Sequence, residues 1–375
     1  MSETPRISII VPALNEGPNL APLAERIDAA LRGREGEYEV IVVDDNSRDD
    51  SRAVAEELGR RYPFRMIVRE SPKDGLSGAV LRGFAEARGE YLVVMDADLQ
   101  HPPEKLNELL APLVRGESEF VLGSRYGPGG STGERWGLFR RINSRIATVL
   151  ARPFAGRTAD PMSGFFALRR STYERAQRLT PLGYKIGLEL MCKCRVRDVR
   201  EVPIHFAERV RGESKLTLTQ QFRYLEHLSR LYDFTFPRVS PVVKFLIVLA
   251  LSWAAALVVF LGLLGTGMRS AWAVSLAYLV AIAITALFHL RYVRTQREFL
   301  VRPNPWMDFI LISAAELLAV MVTAAWVAWR IDRQTMFDLF VIPFAVGTVV
   351  RYVLRKELLQ DVRGLRKEMR RDELT

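Results

Sequence analysis

The chain has 375 residues and a formal net charge of +10, enough length for two or three domains. Its mean hydropathy of +0.04 averages two unlike parts: up to about Pro237 it reads as a soluble α/β protein, and beyond it come apolar runs that a soluble domain would not expose. The Arg-rich balance suits anionic lipid headgroups or phosphate substrates, and no zinc-finger, helix-turn-helix or RNA-binding signature occurs, so nucleic acid is not an expected partner. Cys192 and Cys194 are the only cysteines; so closely spaced, they bridge poorly and make no zinc site, and they read as reduced packing residues. The apolar run Ile7 to Val11 is too short for a signal sequence.

Arg6 to Val11 is a continuous apolar run, the pattern of a strand covered on both faces. It ends in Pro12-Ala13-Leu14-Asn15-Glu16-Gly17-Pro18, and a helix follows with Leu20, Leu23, Ile27 and Leu31 on one face. Tyr38 to Val43 is a second strand, ending in Asp44-Asp45-Asn46-Ser47, with a helix starting near Asp49. Phe64 to Val68 is a third strand. Lys73 to Ala79 opens another helix, whose start is either ordinary helix entry or a set of N–H groups facing an anion. Tyr91 to Met95 is the fourth strand and Phe120 to Leu122 the fifth. This alternation predicts a parallel sheet with helices on both faces, and such sheets bind ligands beyond the carboxyl ends of their strands.

Asn15-Glu16, Asp44-Asp45 and Asp96-Ala97-Asp98 all fall at such ends. Two carboxylates one residue apart can reach one hard cation, and Mg2+ or Mn2+ prefer oxygen ligands and complete their shells with substrate phosphates. Taken alone, Asp-x-Asp also suits a plain turn. Together the three clusters outline a cleft for a nucleotide's ring and ribose beside a metal-bound diphosphate. The sequence has no Gly-x-Gly-x-x-Gly after the first strand and no Walker lysine loop, which argues against hydride or phosphoryl transfer. His101 and His205 read as structural.

Further motifs carry a resemblance. Val11-Pro12-Ala13-Leu14-Asn15-Glu16, Val43 to Asp49, Asp96 to Pro103, Gly123-Ser124-Arg125-Tyr126, Val202-Pro203-Ile204 and Arg209 to Leu216 occur in the order and spacing of family 2 glycosyltransferases. Over about residues 6 to 235 the chain resembles those that make dolichyl-phosphate and polyprenyl-phosphate sugars. The resemblance implies a Rossmann-like GT-A catalytic domain over 1–212; the apolar pattern beyond it gives an amphipathic interface helix over 213–237 and a transmembrane domain with two helical hairpins and a basic tail over 238–375. It implies transfer of a hexose, mannose from GDP-mannose before other donors, to dolichyl or polyprenyl phosphate with inversion. UDP-glucose or another nucleotide sugar is the alternative donor. A processive polysaccharide synthase and a catalytically silent membrane scaffold are the remaining alternatives.

The same resemblance assigns the nucleotide sugar to Pro12, Leu14, Glu16, Val43, Asp45, Asp96, Ala97 and Asp98, with Leu14 standing where the family often has Tyr. It gives Mg2+ or Mn2+ to Asp98 first, then Asp96 and Gln100. It gives the acceptor phosphate to Arg125, Arg140, Arg209, Ser214 and Lys215, so that Asp98, Arg125 and Arg209 carry catalysis. Asp160 to Phe166 and Tyr184 to Glu189 also match and are expected to shape the acceptor side. The chemistry agrees with such a set. A phosphate monoester is already anionic near neutral pH, its second pKa being about 6, so the acceptor needs placement more than a general base. Arginine's fixed charge and planar fork suit that task.

Leu218, Phe222, Leu225, Leu228 and Tyr232 recur at helical spacing, predicting an amphipathic helix that lies at a membrane interface or packs on the catalytic domain. Apolar stretches follow at about 242–264, 271–290, 309–329 and 337–354, each near the ~20 residues that span a bilayer. Arg291, Arg294, Arg297, Arg302 and the basic tail place the second loop, both termini and the catalytic domain in the cytoplasm, whereas Arg330 and Arg333 in the third loop pull the other way. Glu316 falls inside a span, where a carboxylate faces other helices. Such a bundle suits anchoring, binding of the lipid chain or assembly into an oligomer.

Overall fold

The computed structural model describes residues 4–132, 138–176, 179–180, 185–207, 218–288, 305–330, 335 and 337–354. The chain divides into two units, Met1–Pro237 and Arg238–Thr375.

In the first unit, β1 (Ile7–Ala13), α1 (Gly17–Ala30), β2 (Tyr38–Asp44), α2 (Ser51–Gly59), β3 (Phe64–Val68), α3 (Gly75–Glu86) and β4 (Tyr91–Val94) alternate as the apolar runs predict. Next come α4 (Leu106–Val114), β5 (Phe120–Ser124), β6 (Ser131–Thr132), α5 (Leu138–Ala155), β7 (Phe166–Arg169) and α6 (Arg170–Glu174). The unit ends with α7 (Ile186–Lys193), β8 (Val199–Pro203), β9 (His205–Phe206) and α8 (Leu218–Thr235). The main sheet runs β3-β2-β1-β4-β7-β5-β8. Every residue of β1 and β2 is buried, and successive side chains enter opposite layers. Ile9, Val11, Val40, Val42 and Val93 pack with α1, α2 and α4. Ile10, Ile41, Val43, Leu92 and Val94 pack with α3, α5, α7 and α8. Gly83 permits the close seat of α3, since a Cβ there would run into the Ile10 side chain and come within 3.2 Å of Val43.

The sheet is not all parallel. β7 lies between β4 and β5 and runs antiparallel to both. The preceding loop delivers the chain to the carboxyl ends of its neighbours, so β7 can enter only in reverse. That reversal lays residues 158–165 across the carboxyl ends of β4 and β5. A second, two-stranded sheet pairs β6 with β9.

The stripe on α8 is divided. Leu228 and Leu231 are buried, and Tyr224 and Tyr232 donate hydroxyl hydrogen bonds to the Ala147 and Leu150 carbonyls of α5 at 2.9 and 3.0 Å. Phe222 and Leu225 stay exposed. The apolar face expected from spacing is thus divided between packing on the catalytic layer and open surface.

In the second unit, α9 (Ser240–Gly265), α10 (Ser270–Phe288) and α11 (Pro305–Arg330) supply three helices long and apolar enough to cross a membrane. The fourth expected span is not among them; it begins as a π turn, Phe337–Val341, and continues as helix over 342–354. Residues 289–304, 331–334 and 355–375, which hold most of the arginines used to orient the chain, lie outside the described residues. Glu316 faces other helices: its carboxylate accepts bonds from Arg351 Nε at 2.7 Å and Nη2 at 2.5 Å. Arg351 Nη1 donates to Thr285 Oγ1 at 2.8 Å. In the same unit Phe340 stacks on Phe344, and Trp253 meets both rings edge-on.

Candidate active site

The carboxyl edge of the sheet is stitched loop to loop. After β1, Asn15 turns the chain at φ 58; its N–H donates to Ser47 Oγ at 2.7 Å and its side-chain oxygen accepts the Arg48 N–H at 2.9 Å. After β2, buried Asp44 accepts the Ser47 N–H at 2.9 Å and also the Ser47 hydroxyl. Asp45 sits 3.1 Å from Arg69 Nη1; burial, with Asp44 adding, raises its pKa above the usual range although Arg69 opposes this. Glu16 accepts a bond from Asn19 Nδ2 at 2.6 Å. Pro12 and Val43 are buried in the strand ends, whereas Leu14 is 46% exposed.

Beyond β4 the loop carrying Asp96, Ala97 and Asp98 wraps around His101. That imidazole accepts the Asp96 N–H on Nδ1 at 3.0 Å and stacks on Phe165, with ring centroids 5.3 Å apart. Burial pushes its pKa down to about 4, so it stays neutral and props the turn, as a structural histidine would. Asp98 Oδ1 accepts the Gln100 N–H at 3.2 Å, and Gln100 Nε2 donates to the Ala207 carbonyl at 2.9 Å. Leu99 between them holds φ 62, a left-handed conformation that costs a non-glycine residue ~1–2 kcal/mol and is found where a loop is shaped for function. Among the described residues no cluster of three or more His, Cys, Asp or Glu could hold a metal. The candidate donors are the carboxylates of Asp96 and Asp98, one residue apart in this loop, and the side-chain amide of Gln100 two residues on. That set fits Mg2+ or Mn2+, which are commonly bound through one or two carboxylates plus water and substrate phosphates.

A cavity of about 90 Å³ opens next to this loop, lined by Asp96, His101, Arg125, Gly164, Lys185 and Phe206 among others. Arg125, just past β5, is held by Asp160 in a two-point fork, Nε to Oδ2 at 2.7 Å and Nη2 to Oδ1 at 2.9 Å. Its guanidinium lies 5.4 and 5.2 Å from the Tyr126 and Phe206 ring centroids. Burial works against its charge, but Asp160 outweighs burial and holds the guanidinium firmly protonated. Asp160 is fixed in turn by Glu201, whose carboxylate accepts the Ala159 and Asp160 N–H groups at 2.9–3.0 Å. Across the cavity Lys185 donates to the Met162 carbonyl at 2.8 Å. Burial, with Arg125 adding, pushes its pKa down to about 8, while Asp160 and Asp96 pull the other way. A larger hollow of about 350 Å³ lies at the opposite, amino-terminal edge, against Arg6, Arg34, Glu37 and Tyr91, away from the edge where such sheets bind ligands.

Of the residues singled out from sequence, Asp96 and Arg125 line one cavity, with Ala97, Asp98 and Gln100 in the adjoining loop. Pro12, Leu14, Glu16, Val43 and Asp45 occupy the neighbouring strand ends of the same sheet edge and do not line that cavity. Arg140 falls within α5, but its side chain lies outside the described residues, as do Arg209, Ser214 and Lys215 altogether. Asp160 and Lys185 were noted only inside longer motifs. The signal for Lys185 was a lone cation ahead of the apolar run Ile186-Gly187-Leu188; for Asp160 it was an acid in a Pro-Met-Ser-Gly turn.

A doubly layered α/β sheet with an Asp-x-Asp loop and a cation-lined cavity at its carboxyl edge defines a GT-A nucleotide-sugar transferase. A family profile described as glycosyl transferase family 2 matches residues 8–176. A dolichol-phosphate mannosyltransferase from Mycosarcoma maydis is 44% identical over 272 residues, covering 70% of this chain and 92% of that protein. Its counterpart from Pyrococcus furiosus is 44% identical over 246 residues, covering 65% and 68%. The chain belongs to glycosyl transferase family 2, among the relatives of the dolichol-phosphate mannosyltransferases. Among solved structures, glucosyl-3-phosphoglycerate synthase from Mycobacterium tuberculosis, in complex with Mn2+, UDP and glucosyl-3-phosphoglycerate, is 23% identical with a TM-score of 0.46, covering 62% of this chain and 80% of that one.

Proposed function

We propose that this protein transfers mannose from GDP-mannose to dolichyl or another polyprenyl phosphate, with inversion at the sugar carbon, giving a lipid-linked phosphate sugar. The observation that carries this reading is the shared cavity of Asp96 and Arg125: a carboxylate suited to a metal-bound diphosphate and a guanidinium suited to a phosphate meet in one space. Asp98 and Asp96, with Gln100, hold Mg2+ or Mn2+, which when bound neutralises charge building on the departing diphosphate. Pro12, Leu14, Glu16, Val43, Asp45 and Ala97 cradle the nucleotide sugar. Arg125 orients the acceptor phosphate. Its Asp160 fork engages Nε and Nη2, which turns Nη1 away from Asp160, and a phosphate oxygen suits that nitrogen. Arg140, Arg209, Ser214 and Lys215 complete the grip on the headgroup. No side chain has to deprotonate the acceptor, because the phosphate arrives ionised.

The lipid substrate accounts for the rest of the chain. Phe222 and Leu225, exposed on α8 next to Arg223, suit an interfacial helix. The three apolar helices suit insertion in a bilayer, with the stretch at about 337–354 as a fourth span and the catalytic unit and both termini on the cytoplasmic side. Membranes containing the protein, given labelled GDP-mannose or UDP-glucose with dolichyl phosphate and Mg2+ or Mn2+, test the reading. It predicts a mannosylated lipid that alkali leaves intact and mild acid cleaves. A glucosylated lipid from UDP-glucose alone would replace the donor; no lipid product from either would overturn the function.

A further inference from the structure

We propose that His227 is a positioning residue for the transfer reaction: through Glu189 it sets the register of α8 against α7, whose first residues wall the cavity. The inference rests on the sugar-transfer reading above and adds to it a part of the molecule beyond the cavity lining.

Three buried ionisable side chains meet at the seam between α7 and α8. Glu189 and Lys193 of α7 are 0% and 5% exposed, and His227 of α8 is 2% exposed. The layer around them is apolar, with Leu188, Leu190, Leu228 and Leu231 in it. Glu189 Oε1 accepts the Thr180 N–H and the Lys193 ammonium, both at 2.7 Å, and Lys193 also donates to Thr180 Oγ1 at 2.9 Å. Burial alone would raise the Glu189 pKa, but His227, Lys193 and the Thr180 N–H outweigh burial and keep the carboxylate ionised. The other carboxylate oxygen faces α8: Oε2 lies 3.4 Å from His227 Nε2. The contact is close but not closed, since among the described residues neither atom has a hydrogen-bond partner. Two more contacts run along the same seam. Cys192 Sγ and Thr235 Oγ1 are 3.2 Å apart, and the Lys193 ammonium lies 5.9 Å from the Phe234 ring centroid.

Apolar side chains let packed helices slip against each other, whereas fixing register is the best-attested use of a buried polar group. Register matters here because of what each helix does. Ile186 and Gly187, the first residues of α7, line the cavity with Asp96 and Arg125. A Cβ at Gly187 would sit 3.2 Å from the Phe166 ring, so this helix start is packed on the sheet, and a shift of α7 is a shift of the cavity wall. α8 carries the exposed Phe222 and Leu225 and is the last element of its unit. His227 therefore joins a surface suited to the lipid interface to the wall of the site where the lipid's phosphate reacts. Glu189 keeps Lys193 and the Thr180 N–H when the imidazole is removed, so that change strands no charge and separates positioning from stability.

The test uses full-length protein in nanodiscs, with His227→Phe to keep a ring without nitrogens and His227→Gln to restore an N–H donor toward Glu189. GDP binding in the presence of Mn2+ counts the competent sites, and kcat/KM per site is measured with dolichyl phosphate. The proposal predicts that His227→Phe keeps a melting temperature near that of wild type, since an apolar replacement of a buried polar group is often neutral for stability. It predicts that kcat/KM for dolichyl phosphate falls about 10-fold, inside the ~10²-fold that a misplacement of ~1 Å can cost. GDP affinity should be unchanged, and His227→Gln should recover most of the loss. If wild-type protein is active and His227→Phe stays within about twofold of it per site, whatever its melting temperature, His227 is a packing residue; the proposal is overturned and the transfer reading stands. An equal loss in His227→Gln, or an equal loss of GDP affinity, also overturns the proposal. If wild-type protein makes no lipid-linked sugar, the transfer reading fails and this inference fails with it. Should His227→Phe not fold, His227→Met gives the same comparison.

Discussion

Replacing Glu316 by Gln should destabilise the second unit by ~3–5 kcal/mol, the usual range when one partner of a buried ion pair is removed. The size follows from the surroundings. Glu316 and Arg351 are 0% and 6% exposed, and their two hydrogen bonds measure 2.7 and 2.5 Å. Gln cannot answer the guanidinium, and Thr285 Oγ1, at 2.8 Å, supplies a dipole where a charge was needed. The stranded arginine then sits buried among the helices with no counter-charge, which is why removing one partner of such a pair is costly. Adding Arg351→Leu to Glu316→Gln removes the stranded charge and should recover most of the loss. The assay is a double-mutant cycle on unfolding free energy in mixed micelles, with Glu316→Gln, Arg351→Leu and the pair. A coupling energy below ~0.5 kcal/mol, the scatter expected of independent sites, would refute the claim that this pair pins the helix over 342–354 against α10 and α11.

Asp160→Asn should keep the fold but loosen Arg125, because an amide can match only one side of the guanidinium fork now held at 2.7 and 2.9 Å; KM for dolichyl phosphate should rise ~10-fold or more, and unchanged acceptor kinetics would count against the positioning role. Glu39 tests acid stability away from the site. Burial alone would raise its pKa, but the Arg88 N–H, the Ser8 hydroxyl and the Arg88 guanidinium outweigh burial and hold it below the ordinary value of 4.5. Its ionised form therefore supports folding above that value, and the support is lost as pH falls through the lower folded-state pKa. Glu39→Gln should lower stability at neutral pH by ~1–3 kcal/mol and flatten the acid limb of the pH–stability curve. A variant with wild-type acid sensitivity would exclude Glu39 as a source of that limb.

Much of this architecture was legible because it depends on neighbours in sequence. The apolar runs of β1, β2, β4 and β5 announce buried strands, and covalent spacing alone puts Asp96 and Asp98 in one loop. What depends on the route of the chain was not legible. β7 is four residues long, and nothing local to Phe166-Ala167-Leu168 tells that it enters the sheet backwards. That reversal brings Asp160, 35 residues away, onto Arg125 and sets Lys185 in the cavity lining, so a reading by motif found the arginine and the Asp160 motif separately and not the clamp they form. The stripe on α8 left its two roles undivided for a related reason. Helical spacing reports one apolar face, but Leu228 and Tyr232 are claimed by α5 and its layer while Phe222 and Leu225 are not. Glu316 was recognisable as a carboxylate needing company, yet its partner Arg351 lies 35 residues on, where only helix packing identifies it.

The central claim is that the Asp96–Asp98 loop binds a nucleotide diphosphate through a divalent cation. Its most direct test is the affinity of purified protein for GDP, titrated with and without Mn2+, in wild type and in Asp98→Ala with a matched melting curve. The account predicts binding that depends on Mn2+ in wild type and loses that dependence in Asp98→Ala, together with lipid transfer. Equal, Mn2+-dependent GDP binding by both proteins would contradict it.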